Sequence, residues 1–111
     1  MYQGQMKFHP SFLYAVGKKQ ILTRMLQNLK GIYSRAQNHH KTLGMIELAL
    51  LINPEATVEL RDRGLVLLAL GKYAQSRADL EEYLRRVPKA DDAAEIKKRL
   101  IRLRQKQAEL N

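Results

Sequence analysis

The sequence predicts an all-α chain: two helix hairpins repeating with a 34-residue period, a short N-terminal helical segment before them and a capping helix after them. Three observations carry this. Pro54 and Pro88 stand 34 residues apart, and residues 23–56 lie over 57–90 without a gap. Apolar residues recur at three- and four-residue steps, the spacing of one helix face. No segment alternates apolar and polar residues well enough for a strand.

The first expected element is a turn of helix after Pro10, within an N-terminal extension of residues 1–22 that also begins the first long helix. That long helix is expected at 18–36, where Ile21, Leu22, Met25, Leu26, Leu29, Ile32, Tyr33 and Ala36 form a broad apolar face that should be substantially buried. Further helices are expected at 40–52, 57–70, 74–86 and 91–108. Pro54 and Pro88 stop the second helix of each unit, because the residue before proline is driven out of helical geometry. Gly71 suits a helix end, where positive φ costs it nothing. In the last helix, Asp92 and Glu95 can form a capping box, and Ile96, Leu100, Leu103 and Leu110 make one stripe. The two repeats are expected to span 23–90 and the capping helix with its tail 91–111.

Six positions are identical between the two units: Thr23/Thr57, Leu26/Leu60, Glu47/Glu81, Leu50/Leu84, Pro54/Pro88 and Ala56/Ala90. The second unit resembles the tetratricopeptide repeat, through Leu60, Gly64, Leu67, Gly71, Tyr73, Ser76, Leu80 and Pro88. Small residues belong where two antiparallel helix axes approach, a role for Gly64 and Ser76, and Tyr73 anchors the apolar run Leu65–Leu70. The first unit is looser: Lys30 stands where the small residue is usual, Gln37 at the turn glycine and Thr42 at an alanine place.

The strings ILTRMLQNLKGIY (21–33), RDRG (61–64) and ADLEEYL (78–84) together resemble the C-terminal region of a bacterial transglutaminase-like family, in which a papain-related core precedes a short tetratricopeptide region. The resemblance implies a module that follows, or once followed, such a core. The Cys, His and Asp constellation of that core has no counterpart to carry over, since the chain contains no cysteine.

Composition narrows the function classes. At 111 residues, 45% apolar and 28% charged, the chain fits one helix-leaning folded domain rather than a disordered tail. The apolar run from Leu65 to Leu70 is far short of the roughly 20 residues that cross a bilayer. No leader pattern is visible at the N-terminus, so a cytoplasmic location is expected. The net charge of +9 divides as +5 over 1–56, +2 over 57–90 and +2 over 91–111, which reads as an excess spread along the chain and suited to anionic partners.

No catalytic, cofactor or metal site emerges. His39 and His40 are adjacent and do not converge on one metal, and His39 takes the place of Tyr73, which favours packing. Gly17-Lys18-Lys19 and Gly71-Lys72 lack the rest of a phosphate loop. The expected function is therefore non-catalytic: a protein-protein or interdomain module.

Its docking groove is expected on the outward faces of the first helix of each unit: Arg24, Gln27, Gly31, Ser34 and Arg35, then Val58, Arg61, Leu65 and Leu68, then Glu95, Arg99 and Arg102. Such a groove is basic with an apolar centre and suits an acidic or amphipathic segment. The run KKRLIRLRQK (97–106) keeps a basic binder of nucleic acid or anionic surfaces as the alternative, and Ile32 or the stretch PSFLYAV offers a face for a homodimer. Arg63 replaces a leucine that would face the partner helix, so it needs an acceptor, and Asp79 is the one expected, with Asp62 or Arg61 pointing outward.

Overall fold

The computed structural model describes residues 17–110, and within them the architecture is all helical. Five helices follow one another: α1 Lys18–Arg35, α2 His39–Ile52, α3 Thr57–Ala69, α4 Tyr73–Arg86 and α5 Ala93–Leu110. Each packs on its sequence neighbour, giving the hairpins α1/α2 and α3/α4 with α5 laid against α4. The expected helix bounds agree with these to within two residues; the turn after Pro10 and the stretch PSFLYAV lie outside the described residues.

The turns show why the helices end where they do. Gly71 has φ +77°, its N–H donates to Leu68 O and the Lys72 N–H donates to Leu67 O, the paired bonds of a Schellman ending. The first hairpin makes the same turn without glycine: Gln37 sits at φ 58°, with Gln37 N–H on Ser34 O and Asn38 N–H on Tyr33 O. Asn38 then begins α2, its side chain accepting from the Lys41 N–H at 3.2 Å. Before the prolines, Asn53 and Val87 have left helical geometry at φ −138° and −132°.

Close approach of α3 and α4 rests on two small residues. A Cβ on Gly64 would lie 2.7 Å from Leu80 Cδ2 and 2.8 Å from its Cγ, and Ser76 Oγ donates to the Gly64 carbonyl at 2.6 Å. Around that contact Leu60, Leu80, Tyr83, Ile96, Leu100 and Leu103 form the core, with Tyr73, Leu84 and Val87 packed on it. This cluster sits in the second hairpin and the cap, and α2 adds the buried Ile46 and Ala49 from the first hairpin.

Two expectations are corrected. The first helix is not substantially buried: none of its residues is buried, and Met25 and Ile32 are 53% and 52% exposed. Leu26 and Tyr33 are half-buried and Lys41 of α2 lies over the Tyr33 ring, but α1 is the end of the described array, and the stripe Leu22, Met25, Leu29 and Ile32 is exposed. In α5, Leu110 is 70% exposed because the 18-residue helix outruns the 14-residue α4 that it covers.

Candidate protein-docking surface

Helix α1, helix α3 and the turn that leads into α5 are linked by a series of bridging side chains. From α1, Lys30 Nζ donates to Glu59 Oε1 at 2.9 Å and to Asp62 Oδ2 at 2.6 Å, both on α3, while Gln27 Nε2 donates to Glu59 Oε2. Asp62 Oδ1 accepts from Arg61 Nε and Nη2 at 3.0 and 2.8 Å, and Arg61 Nη1 donates to Asp92 Oδ2 at 3.0 Å, just before α5. Tyr83 Oη closes the series by donating to Asp92 Oδ1 at 2.6 Å.

This network corrects the expected groove. Arg61 and Gln27 do not offer free donors there, because both are spent inside the molecule. Glu59 is only 7% exposed, and a carboxylate so placed is retained only when donors surround it. Burial works against the Lys30 charge, but bonds to Asp62 and Glu59 outweigh it and raise its pKa; for Arg61 burial is likewise outweighed by Asp62 and Asp92. Tyr83, and secondarily Arg61, hold the Asp92 carboxyl below its ordinary value, while burial and Asp92 push Tyr83 up. Two cations face three carboxylates, so the middle of this face is not basic. The expected capping box is not formed either: Asp92 serves Tyr83 and Arg61, and Glu95 pairs with Arg99 at 3.3 Å.

A second arrangement gathers part of the expected groove at one end. A cleft of about 210 Å³ is lined by Leu68, Tyr73 and Leu103 and by Arg99, Arg102 and Lys106. Leu103 is buried and Leu68 and Tyr73 are half-buried, so they make an apolar floor, and the three cations are exposed at its rim. Only Arg99 has a carboxylate partner among the described residues, the exposed Glu95, and such a pair is weak. The basic run thus divides by helix face: Leu100 and Leu103 enter the core, Arg104 is held by Glu81 at 2.8 Å, and Arg99, Arg102 and Lys106 turn to the cleft.

The other expected groove residues are dispersed. Arg24, Ser34, Arg35 and Val58 are exposed on α1 and α3 outside this cleft, and Leu65 is half-buried against the core. Arg63 pairs with Asp79 as the sequence suggested, Nε on Oδ2 at 2.7 Å and Nη2 on Oδ1 at 2.9 Å, a two-pronged contact between α3 and α4. Among the described residues no three His, Asp or Glu side chains are placed to hold a metal, and no helix is long and apolar enough to cross a membrane.

A tetratricopeptide repeat family model matches residues 29–101. The chain belongs to that family. Repeats of this kind are protein-interaction modules, in which paired helices present side chains to a partner. The chain is also similar to UPF0162 proteins: 31% identical over 83 residues to one from Xylella fastidiosa (strain 9a5c), covering 75% of this chain and 30% of that protein. A Pasteurella multocida relative is 30% identical over 108 residues, covering 94% of this chain and 41% of its own length. For a Haemophilus influenzae relative the values are 29% over 98 residues, 88% and 37%. The chain spans less than half the length of these relatives. No solved structure matches it.

Sequence reasoning missed the Lys30–Glu59–Asp62 bridge. The signal was present in the departure already noted, a lysine at the place of a small residue: a long cation there cannot sit between packed axes and must reach a neighbouring unit for a carboxylate.

Proposed function

We propose that this chain is a non-catalytic interaction module that holds an acidic, partly apolar segment of a protein or of an adjacent domain at the cleft between the second repeat and the capping helix. Residues 23–90 form its two repeats and 91–111 its cap. The observation that carries the reading is the combination of Leu68, Tyr73 and Leu103 as an apolar floor with Arg99, Arg102 and Lys106 around it. An apolar side chain fills the floor while carboxylates beside it meet the cations, which gives both affinity and sign selectivity.

The resemblance of ILTRMLQNLKGIY, RDRG and ADLEEYL to transglutaminase-like proteins is what supports a finer version: the module is the C-terminal part, or a relative, of such a protein, acts in the cytoplasm, and serves as a tail to its core. The greater length of the UPF0162 relatives is consistent with that arrangement. Homodimerisation belongs to the same set of proposals.

The test is a binding titration with a fluorescent peptide of alternating Asp and Leu, run beside a single-stranded oligonucleotide of equal charge. The peptide should saturate, and the double variant R102E/K106E should weaken it by about tenfold or more. Tighter binding of the oligonucleotide, with affinity collapsing between about 50 and 200 mM salt, would instead establish the nucleic-acid alternative.

A further inference from the structure

The first helix carries a second surface that the cleft does not involve. Leu22, Met25, Leu29 and Ile32 follow one another at i, i+3, i+7 and i+10, a single stripe along α1, and all four are exposed. Arrays of this kind end on helices whose outer face is polar, because nothing further stacks on them. The other end obeys that rule: α5 turns Lys97, Lys98 and Gln105 outward, with Ile101 the one large apolar residue among them. Among the described residues the α1 end differs, because its outer face carries the apolar stripe.

Charge selects what covers it. Division of the sequence at Glu47 shows what a coarser division hides: residues 1–46 contain seven Lys and Arg and not one Asp or Glu. Within α1 the cations are Lys18, Lys19, Arg24, Lys30 and Arg35, and of these only Lys30 has a carboxylate partner among the described residues. Lys18 lies one turn before Leu22 and Arg35 one turn after Ile32, so they stand at the two ends of the stripe, with Arg24 along one side.

A second copy pairing through the same stripe would bring these cations against themselves. Residues 1–16, with no carboxylate, cannot neutralise them either. We infer that the stripe Leu22/Met25/Leu29/Ile32 seats an amphipathic helix of another protein whose apolar face is bordered by Asp or Glu. This helix extends the array by one layer, in the place a preceding repeat would occupy, and its carboxylates meet Lys18, Arg24 and Arg35.

The experiment uses the full chain and two fluorescent helical peptides of about 18 residues, the length of α1. Both carry leucines at i, i+3, i+7 and i+10; one is flanked by Glu and its twin by Lys. Anisotropy should show saturable binding of the Glu peptide, about tenfold or more tighter than its twin. Met25→Glu and Ile32→Glu, both at exposed positions and checked for retained helicity, should each weaken it about tenfold. Arg102→Glu should leave it within about twofold, which separates this surface from the cleft on α5. Equal binding of the two peptides, indifference to Ile32→Glu, or loss on Arg102→Glu would each overturn the inference. So would sedimentation showing a dimer that Ile32→Glu converts to monomer, since the occupant would then be a second copy.

Discussion

Gly64→Ala should destabilise the protein although alanine is the better helix former. The added Cβ would stand 2.7 Å from Leu80 Cδ2, 2.8 Å from Leu80 Cγ and 3.3 Å from Asp79 Cβ. Ordinary carbon contact is about 3.5–4.0 Å, so Leu80 must retreat by about 1 Å. It is fully buried, at 0% exposure, and Asp79 beside it is held by Arg63. Overpacking of this kind costs about 1–3 kcal/mol, against a return of about 0.5–1 kcal/mol for replacing a helical glycine. The middle of each range, about 2 less about 0.75 kcal/mol, leaves a net loss of about 1.25 kcal/mol, and at about 4–8 °C per kcal/mol for a domain of this size the midpoint falls by about 5–10 °C. Thermal and urea melts by circular dichroism measure it. Gly44→Ala supplies the control, since nothing lies within 4 Å of its added Cβ; it should gain about 0.5–1 kcal/mol. In a Leu80→Ala background, which removes both Cγ and Cδ2, Gly64→Ala should cost about 1 kcal/mol less than in the parent. If Gly64→Ala is as stable as the parent, or if Leu80→Ala gives no relief, close packing at this crossing is not what the glycine provides.

Gln37→Gly should stabilise by about 0.5–1 kcal/mol, because Gln37 holds φ 58° and the left-handed region costs a residue with a Cβ about 1–2 kcal/mol; an unchanged urea midpoint would show that this cost is absent. Asp92 has its folded-state pKa below the ordinary 3.8, so its contribution is complete above that value and is lost as pH falls through the lower folded value. Asp92→Asn should therefore lose about 1 kcal/mol at pH 7 relative to the parent. The gap should close below about pH 4, and a gap that persists at pH 2 would mean that the loss is not tied to ionisation. Native-state hydrogen exchange should find the amides of α1, which has no buried residue, opening at lower free energy than those of α4, whose Ser76, Leu80 and Tyr83 are buried; equal protection of the two would contradict a core to which α1 adds little.

Much of the fold could be read from spacing because it depends on local chemistry. Proline ends a helix wherever it stands, Gly71 permits positive φ, and a 34-residue period fixes which residues of the two units correspond. The Arg63–Asp79 pair was legible for the same reason, since hairpin geometry brings α3 and α4 together in a known register. The bonds between units were not. Whether Lys30 reaches Glu59 or Asp62, and whether Asp92 caps α5 or accepts from Tyr83 and Arg61, depends on how successive hairpins stack, and a single sequence does not state it. Exposure of the α1 stripe was hidden for a related reason: the helical pattern Leu22, Met25, Leu29, Ile32 marks a face that becomes buried when a neighbour exists, not that one does.

One position links these features. Gly64 and Lys30 correspond in the two units, and each decides how its hairpin is held. At Gly64 the absence of a side chain lets α4 close on α3 and places Leu80 at the centre of the core. At Lys30 a long side chain points instead to Glu59 and Asp62 on the next unit, so α1 is tied across the repeat boundary by ions and hydrogen bonds more than by apolar burial. A helix held in this way keeps its position while leaving its opposite apolar stripe unused by the core. In a short array, where stability is close to a sum of units and their shared boundaries, this places the strength in the second hairpin and cap and leaves the first helix as the element that gains most from a partner.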